Sequence, residues 1–412
     1  MATFEILLDI PDVIIQKVKI EDDNIKIYVK STAEGTICHN CGKHISKPHG
    51  HDKVITLRHL SILGKTAHII ISPARYKCPH CYCTTTQKLS WYHVRSPHTK
   101  AFEQHILSEM INSTVEDTSI KNKLGYEAVM GIINRNIADM ADWETIKQLD
   151  VIGIDEISLK KGHKDFVVII TGRVGVKLMI LSVLKDRKKA TVKAFLKEIP
   201  SRLKKMIVAV STDMYDGFVN AAKEVFGKKV VVIDRFHVAK LYRKGIDKLR
   251  KKELKRLKEE LSEVEYKKLK GAMWALRKSV KDLTVKDKAV LECLFKYSPL
   301  LKIAYKLTND LTDIFEKIIS KEEAKKKIKK WKRKAEKSGL DSFDSFISTL
   351  DKYMDGVTNY FSNRYNSGFV EGLNNKIKVI KRRCYGILNI NHLFRRIYLD
   401  IEGYNLYCCI LS

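Results

Sequence analysis

Between residues 149 and 233 the chain alternates short apolar runs with amphipathic stretches. Residues 151–155 (Val-Ile-Gly-Ile-Asp) read as a strand. Residues 166–170 form a continuous apolar run, as in a strand covered on both faces, and residues 178–184 make a third strand. Val192, Phe195, Leu196 and Ile199 then recur at helical spacing. Residues 207–210 follow as a strand, 218–226 as a second helix and 230–233 as a final strand. Three strands in succession call for hairpins, and the later strand–helix alternation calls for parallel crossovers. The expectation is α/β architecture built on a mixed five-stranded sheet.

Upstream, two strand-like segments, 54–60 and 66–71, precede a switch to helical spacing after Pro97, where Phe102, Ile106, Leu107, Met110 and Ile111 recur. Within residues 118–135 one short helix ends near Leu124-Gly125 and a second begins near Glu127. Val129, Ile132 and Ile133 face inward, and Gly125 stands where a tight interhelical turn needs it. Two readings stand: a helix-turn-helix whose second helix, carrying Asn134 and Arg135, reaches DNA, or plain helical packing. Downstream, residues 241–355 repeat Leu249, Leu254, Leu257 and Leu261 among Lys and Glu, with Trp274 and Trp331 as expected packing anchors of a helical insertion. Residues 367–378 (Ser-Gly-Phe-Val-Glu-Gly-Leu-Asn-Asn-Lys-Ile-Lys) open a further helix. Glu371 shares one face with Asn374, Asn375, Lys378 and Arg382, while Val370, Leu373, Ile377 and Ile380 line the core-seeking face.

Charge changes this picture. The formal net charge is +29, from 77 Lys and Arg against 48 Asp and Glu, which favours a polyanionic partner. A lysine-rich composition accounts for part of it. The run 325–334 is intensely basic and reads either as a phosphate contact or as a solvated face. Lys378, Lys381 and Arg382, beside Glu371, are the stronger DNA-contact candidates. No run reaches about 18 apolar residues, so no membrane span is expected. The first residues lack the basic-then-apolar layout of a secretion signal, and a cytoplasmic, nucleoid-associated protein is expected.

The cysteines are clustered, which points to a reducing compartment and a metal. Cys38-His39-Asn40-Cys41 and Cys78-Pro79-His80-Cys81 are two knuckles that together complete a tetrahedral structural Zn²⁺ site. Their separation of 36 residues exceeds the ribbon spacing of about 15–20, and a hairpin over 54–71 accounts for the excess. Cys83 is a spare thiol able to replace a ligand. Cys293, Cys384, Cys408 and Cys409 read as ordinary buried residues.

Asp155 and Asp213 each end a strand-like segment, and Glu371 starts a basic helix. Three carboxylates from two strands and a helix suit metal-assisted phosphodiester chemistry: Mg²⁺ (or Mn²⁺) takes hard oxygen ligands, and an ion pair about 3.5–4 Å apart can serve both attacking and leaving oxygens. The element order, with acids at the first and fourth strands, resembles the ribonuclease-H-like fold of DDE transposases and integrases. The motifs Gly153-Ile154-Asp155-Glu156, Ser211-Thr212-Asp213-Met214-Tyr215, Val232-Ile233-Asp234-Arg235-Phe236-His237 and Gly368-Phe369-Val370-Glu371-Gly372-Leu373-Asn374 resemble the insertion-sequence transposases of the ISL-three family. So do the knuckles and helix pair ahead of the core.

That resemblance implies Asp155, Asp213 and Glu371 as the triad holding two Mg²⁺ ions. Asp234 and His237 match an Asp-x-x-His signature with a role in positioning the DNA strand or orienting the site. A structural hydrogen-bonded pair, and ligation by Asp234 in place of Asp213, are the alternatives. Strand alternation points Glu156 away from the site. The implied reaction is water attack that frees a 3′ hydroxyl at the element end, followed by attack of that hydroxyl on target DNA. The implied partners are double-stranded DNA ends and target, and a second copy of the chain for synapsis. Rival functions are a DNA-binding regulator that has lost cleavage and a structure-specific metal nuclease. The expected division is 1–95 zinc module, 96–148 helix-turn-helix, 149–240 first part of the core, 241–355 helical insertion and 356–412 second part of the core.

Overall fold

The computed structural model describes residues 8, 10–160, 164–228, 230–364, 368–387 and 389–408; the side chains of residues 160, 164, 363 and 368–371 lie outside that description. Two compact units emerge, Met1–Ile137 with Leu399–Ser412, and Ala138–Tyr398. The division falls at residue 137/138 instead of 148/149, and the end of the chain groups with the first unit. Among the described residues no helix is long and apolar enough to cross a membrane.

The first unit contains β1 (Val13–Glu21), β2 (Asn24–Ser31), β3 (Thr36–Ile37), β4 (His44–Ile45), β5 (Pro48–His51), β6 (Ile55–Ile62), β7 (Lys65–Ile71), β8 (Ala74–Lys77) and β9 (Thr84–Thr86). The expected hairpin is β6–β7. It belongs to a four-stranded sheet in the order β1-β2-β7-β6. Period-2 alternation makes its core: Ile25, Ile27 and Val29 on β2 and Ala67, Ile69 and Ile71 on β7 are all buried.

Three helices follow: α1 (Lys100–Met110), α2 (Val115–Lys121) and α3 (Tyr126–Asn136). Thr99 and Thr114 cap the first two, each accepting from the backbone amide three residues on. The α2–α3 turn differs from expectation in one respect. Its left-handed residue is Lys123, at φ 51°, while Gly125 has an ordinary φ of −74° and starts α3. Glu103 of α1 is fully buried and accepts from Arg135 (2.6 Å), Asn136 (2.8 Å) and Ser96 (2.7 Å), so it ties α3 onto α1. Arg135 therefore serves the packing of α3.

The second unit is built on β10 (Val151–Lys160), β11 (Lys164–Val174), β12 (Lys177–Leu184), β13 (Ala209–Thr212) and β14 (Val231–Ile233). Their order, β12-β11-β10-β13-β14, is the expected mixed sheet: β10–β11 and β11–β12 are antiparallel, β10–β13 and β13–β14 parallel. α4 (Lys189–Glu198), the single turn α5 (Ser201–Lys204) and α6 (Asp216–Phe226) provide the crossovers. β10 runs five residues past Asp155, because β11 keeps pairing with it after β13 has ended.

α7 (Arg235–Glu260) follows β14 without a loop and opens the helical insertion. Then come α8 (Glu263–Lys267), α9 (Ala272–Ala275), α10 (Val285–Tyr297), α11 (Pro299–Glu316), α12 (Lys321–Lys337), α13 (Asp344–Asn363), α14 (Gly368–Arg383) and α15 (Ile390–Tyr407). Trp331 is buried as expected, but Trp274 is 62% exposed and anchors no core. Part of the basic run on α12 is paired: Lys325 with Asp355, Lys332 with Asp351 and Lys334 with Asp310 on other helices, and Lys327 with Glu323 on α12 itself. Lys326, Lys329, Lys330 and Arg333 are exposed. α13 covers the edge strand β14. Gly356 approaches Ile233 so closely that an added Cβ would meet its side chain at 2.8 Å, and buried Asn359 donates to the carbonyls of Val231 and Lys228.

Candidate functional site

The parallel ladder sets the site. Ile154 pairs with Thr212 on β13, and Thr212 with Ile233 on β14. One residue further along each strand stand Asp155, Asp213 and Asp234, a row of three aspartates where the parallel pairing ends. Adjacent strands lie about 4.8 Å apart, so any carboxylates in such a row are neighbours. Each has a different local tether. Asp155 accepts from the amide of Glu156 (2.7 Å) and Asp213 from that of Tyr215 (3.1 Å). Asp234 is buried at the N-cap of α7, accepting from Phe236 (3.1 Å), and its other oxygen bonds His237 Nδ1 at 2.9 Å.

Asp155, Asp213 and His237 converge: one ligand atom from each lies within 4.8 Å of the others. Asp234 stands behind His237 and does not join that group. With Nδ1 held by Asp234, the imidazole presents Nε2, the arrangement by which a carboxylate orients a metal-ligating histidine. Burial pushes the Asp213 carboxyl up to about 6, with the Asp155 charge adding to it. Burial also raises Asp155, partly offset by the Glu156 amide. For His237 burial pulls downward, but the bond to Asp234 and the three surrounding carboxylates hold it above its ordinary value. A dication would relieve this crowding of acids.

α14 forms the opposite wall. Leu373, Ile377 and Ile380 are buried, as its pattern predicts. Asn374 donates to Asp155, and its own Oδ1 is buried with no partner among the described residues, an oxygen free to take a cation or a donor. Lys381 donates to the Ser158 carbonyl, and burial depresses its pKa. Lys378 and Arg382 are exposed. A cavity of about 490 Å³ is lined by Asp155, Asp213, His237, Asn374, Lys378 and Lys381. Residue 371 lies three before Asn374 and seven before Lys378, on the same helical face; the Glu371 side chain lies outside the described residues. Two hard carboxylates and an unengaged amide oxygen suit a divalent ion of the Mg²⁺ type.

Strand alternation does not fully remove Glu156. Its charge still reaches Asp213, and its carboxylate pairs with Arg187 at 3.2 Å. The Arg187 guanidinium stacks over Phe166 (5.0 Å) and Tyr215 (5.1 Å). Arg187 lies in the β12–α4 loop and carried no sequence signal. Only the fold brings it to this wall.

In the first unit Cys38, Cys41, Cys78 and Cys81 form the second metal-capable group. The two knuckles share one turn: Cys38 and Cys78 each donate to the carbonyl five residues on, and Gly42 (φ 71°) and Tyr82 (φ 59°) occupy equivalent left-handed positions. Sulfur separations of 3.5 Å (Cys38–Cys81) and 3.6 Å (Cys41–Cys78) approach the edge of about 3.8 Å that a tetrahedron with Zn–S near 2.3 Å requires. The amides of Cys41 and Asn40 help draw the Cys38 thiol down to about 5. Cys83 lies against the group, 3.2 Å from Cys81 and 3.3 Å from Cys38. Cys293, Cys384 and Cys408 are free thiols and half-buried instead of core residues; Cys409 lies outside the described residues. Asn134 is exposed on α3.

Known proteins resemble this chain along most of its length. The chain is 25% identical over 384 residues to the transposase for insertion sequence element IS1001 of Bordetella parapertussis, covering 92% of each. It is 22% identical over 418 aligned positions, 95% of this chain and 93% of the other, to the transposase for insertion sequence element IS1557 of Mycobacterium tuberculosis, in strains CDC 1551 / Oshkosh and H37Rv. A family model described as transposase matches residues 152–397, a span that holds Asp155, Asp213, Asp234, His237 and residue 371. The chain therefore belongs to the ISL3 family of DDE insertion-sequence transposases.

Proposed function

We propose that this transposase binds the terminal inverted repeats of its insertion sequence and carries out Mg²⁺-dependent cleavage and strand transfer on double-stranded DNA. Family membership brings a DNA substrate and use of a divalent metal. The finer reading rests on the aspartate row at residues 155, 213 and 234, walled by the α14 face that carries residue 371. In it Asp155, Asp213 and Glu371 hold the ions of a ribonuclease-H-like core. Bound Mg²⁺ (or Mn²⁺) would activate the attacking oxygen and steady the leaving one.

The chain's own residues prepare that site. Asn374 fixes the Asp155 carboxylate. Asp234 fixes the imidazole of His237, which sits against both acids and can hold or release a proton there. Lys378, Lys381 and Arg382 offer positive charge to the phosphates on either side of the scissile bond. Cys38, Cys41, Cys78 and Cys81 hold a structural Zn²⁺. α2 and α3 act as the helix-turn-helix, with exposed Asn134 toward DNA and Arg135 retained by Glu103. Two ends must be held together, so the active assembly is a dimer or larger.

The test is Mg²⁺-dependent nicking of a duplex bearing an element end, by wild type, Asp155→Asn and Glu371→Gln. Nicking by wild type that leaves a 3′ hydroxyl, lost in both variants while end binding persists, supports the reading. Equal nicking by Glu371→Gln removes Glu371 from the triad. Binding without nicking by wild type identifies a regulator. A monomer on end DNA by light scattering contradicts the assembly.

A further inference from the structure

We propose that a groove along α7 holds an unpaired DNA strand as it leaves the catalytic cavity; the proposal rests on the strand-cleavage function above. The groove encloses about 680 Å³ and shares Phe236, Lys240 and Lys378 with the catalytic cavity, so the two adjoin. Its long wall is one stripe of α7, residues 236, 240, 243, 247 and 250, at alternating four- and three-residue steps. Arg277, two residues past α9 (Ala272–Ala275), faces that stripe.

Its charge is one-sided. Lys240, Arg243, Lys244 and Lys378 have no acidic partner among the described residues, and Lys240, Arg243 and Lys244 are exposed. The single acid in the lining, Asp247, is already met by Arg250 (2.9 Å) and Arg277 (3.8 Å). Beneath the cations the floor is apolar, from Ile246, Met273 and Leu276. One aromatic ring stands where the two meet: Phe236, 45% exposed, lines both the groove and the catalytic cavity. Trp274 lies outside the lining, 62% exposed, with the Arg277 guanidinium 5.6 Å from its ring centre.

Phosphates alone would require only the cations. A row of cations over an apolar floor with an exposed ring matches a strand whose backbone tracks the charges while its bases stack. A duplex, whose base faces are already stacked on one another, gives the floor and the ring nothing to bind.

The test uses the full chain in EDTA, with fluorescence anisotropy on a labelled 15-mer of thymidylate, the same length of abasic strand, and a blunt duplex. Arg243→Ala/Lys244→Ala alters exposed side chains outside the catalytic cavity, Phe236→Ala removes the exposed ring at the junction, and their thermal midpoints confirm folding. Removing two phosphate contacts should reduce the slope of log K against log salt by about 1.4 on the single strand. Phe236→Ala should weaken thymidylate binding about tenfold and leave the abasic strand unchanged. Duplex binding should change less than twofold for both.

Single-strand affinities within twofold of wild type in both variants overturn the groove. So do equal losses on the duplex, or competition by polyglutamate as effective as that by oligonucleotide. Failure of wild type to nick an element end, with these binding results intact, would remove the proposed function and leave the groove.

Discussion

Asp213→Asn should make the metal-free protein more stable. The wild-type carboxyl moves from its ordinary 3.8 to about 6 on folding, a difference of about two units. At about 1.4 kcal/mol per unit this is about 3 kcal/mol of strain when both states are ionised. The asparagine keeps the shape and the Tyr215 amide contact but carries no charge. Part of the burial cost remains for an amide, so the expected gain is about 1–3 kcal/mol for the second unit. For a unit of this size that raises the melting midpoint by roughly 2–6 °C.

The sign with pH is fixed by proton uptake. Between pH 3.8 and about 6 the folded wild type binds more protons than the unfolded chain, so its stability falls as pH rises through that window. The advantage of Asp213→Asn is therefore full above about pH 6 and disappears toward pH 4. Added Mg²⁺ should raise the wild-type midpoint and leave the variant unmoved, because binding stabilises only a site that can hold the ion. Urea or thermal melting followed by tryptophan emission reads this well, since Trp143, Trp274 and Trp331 all belong to residues 138–398. A variant no more stable than wild type in EDTA at pH 7.5, or one whose advantage persists undiminished at pH 4, refutes the reasoning.

Three further outcomes follow from the packing. Cys78→Ser should lose the stoichiometric zinc seen by elemental analysis and loosen the first unit, whereas Cys83→Ser should keep it, because the other four sulfurs already form the site. Glu103→Ala should cost the first unit about 3 kcal/mol by leaving Arg135 and Asn136 without their buried acceptor, read from Trp91 emission. Its Ser96, Asn136 and Arg135 bonds outweigh burial and hold the Glu103 pKa below the ordinary carboxylate range, so in wild type this contribution is complete at neutral pH and is lost as pH falls from about 4.3 through the lowered pKa. Asn359→Leu should lower the urea midpoint of the second unit by the equivalent of about 1–3 kcal/mol, since the Val231 carbonyl and Lys321 lose their partner at the sheet edge.

What the sequence made legible follows from how local each signal is. The five strands of the second unit announce themselves as apolar runs because both faces of that sheet are covered. The cysteine knuckles are legible because both ligands of each pair come from one turn. The extension of β10 beyond Asp155 is written in residues 156–160, which alternate polar with apolar as a half-covered strand does and are held by β11 alone. The exposure of Trp274 was hidden because large aromatics normally bury, and only the tertiary fold shows that α9 turns this one outward. Arg187 sits in a polar loop, and its sandwich depends on Phe166 and Tyr215 arriving from two other elements. Arg135 is a surface cation, as it reads in the sequence, but the acid that fixes it, Glu103, lies a helix away.

α7 explains why the acids, the imidazole and the groove occur together. Strand β14 ends at Ile233, and Asp234 at once becomes the cap of a helix of 26 residues. At about 1.5 Å per residue that helix is a rod of about 39 Å. Its positive N-terminal end lies under Asp234, where a buried carboxylate is favoured. The first turn carries His237 to the aspartate row, the next brings Lys240 to the mouth of the cavity, and the following turn sets Arg243 and Lys244 along the groove. Sheet register fixes where the rod begins, and helical periodicity fixes which residues share its open face. A one-residue insertion between Asp234 and His237 would break the Asp234–His237 bond and rotate the groove stripe by about 100°. Catalytic geometry and strand grip would then fail together, whereas the same insertion after Arg250 would leave both intact.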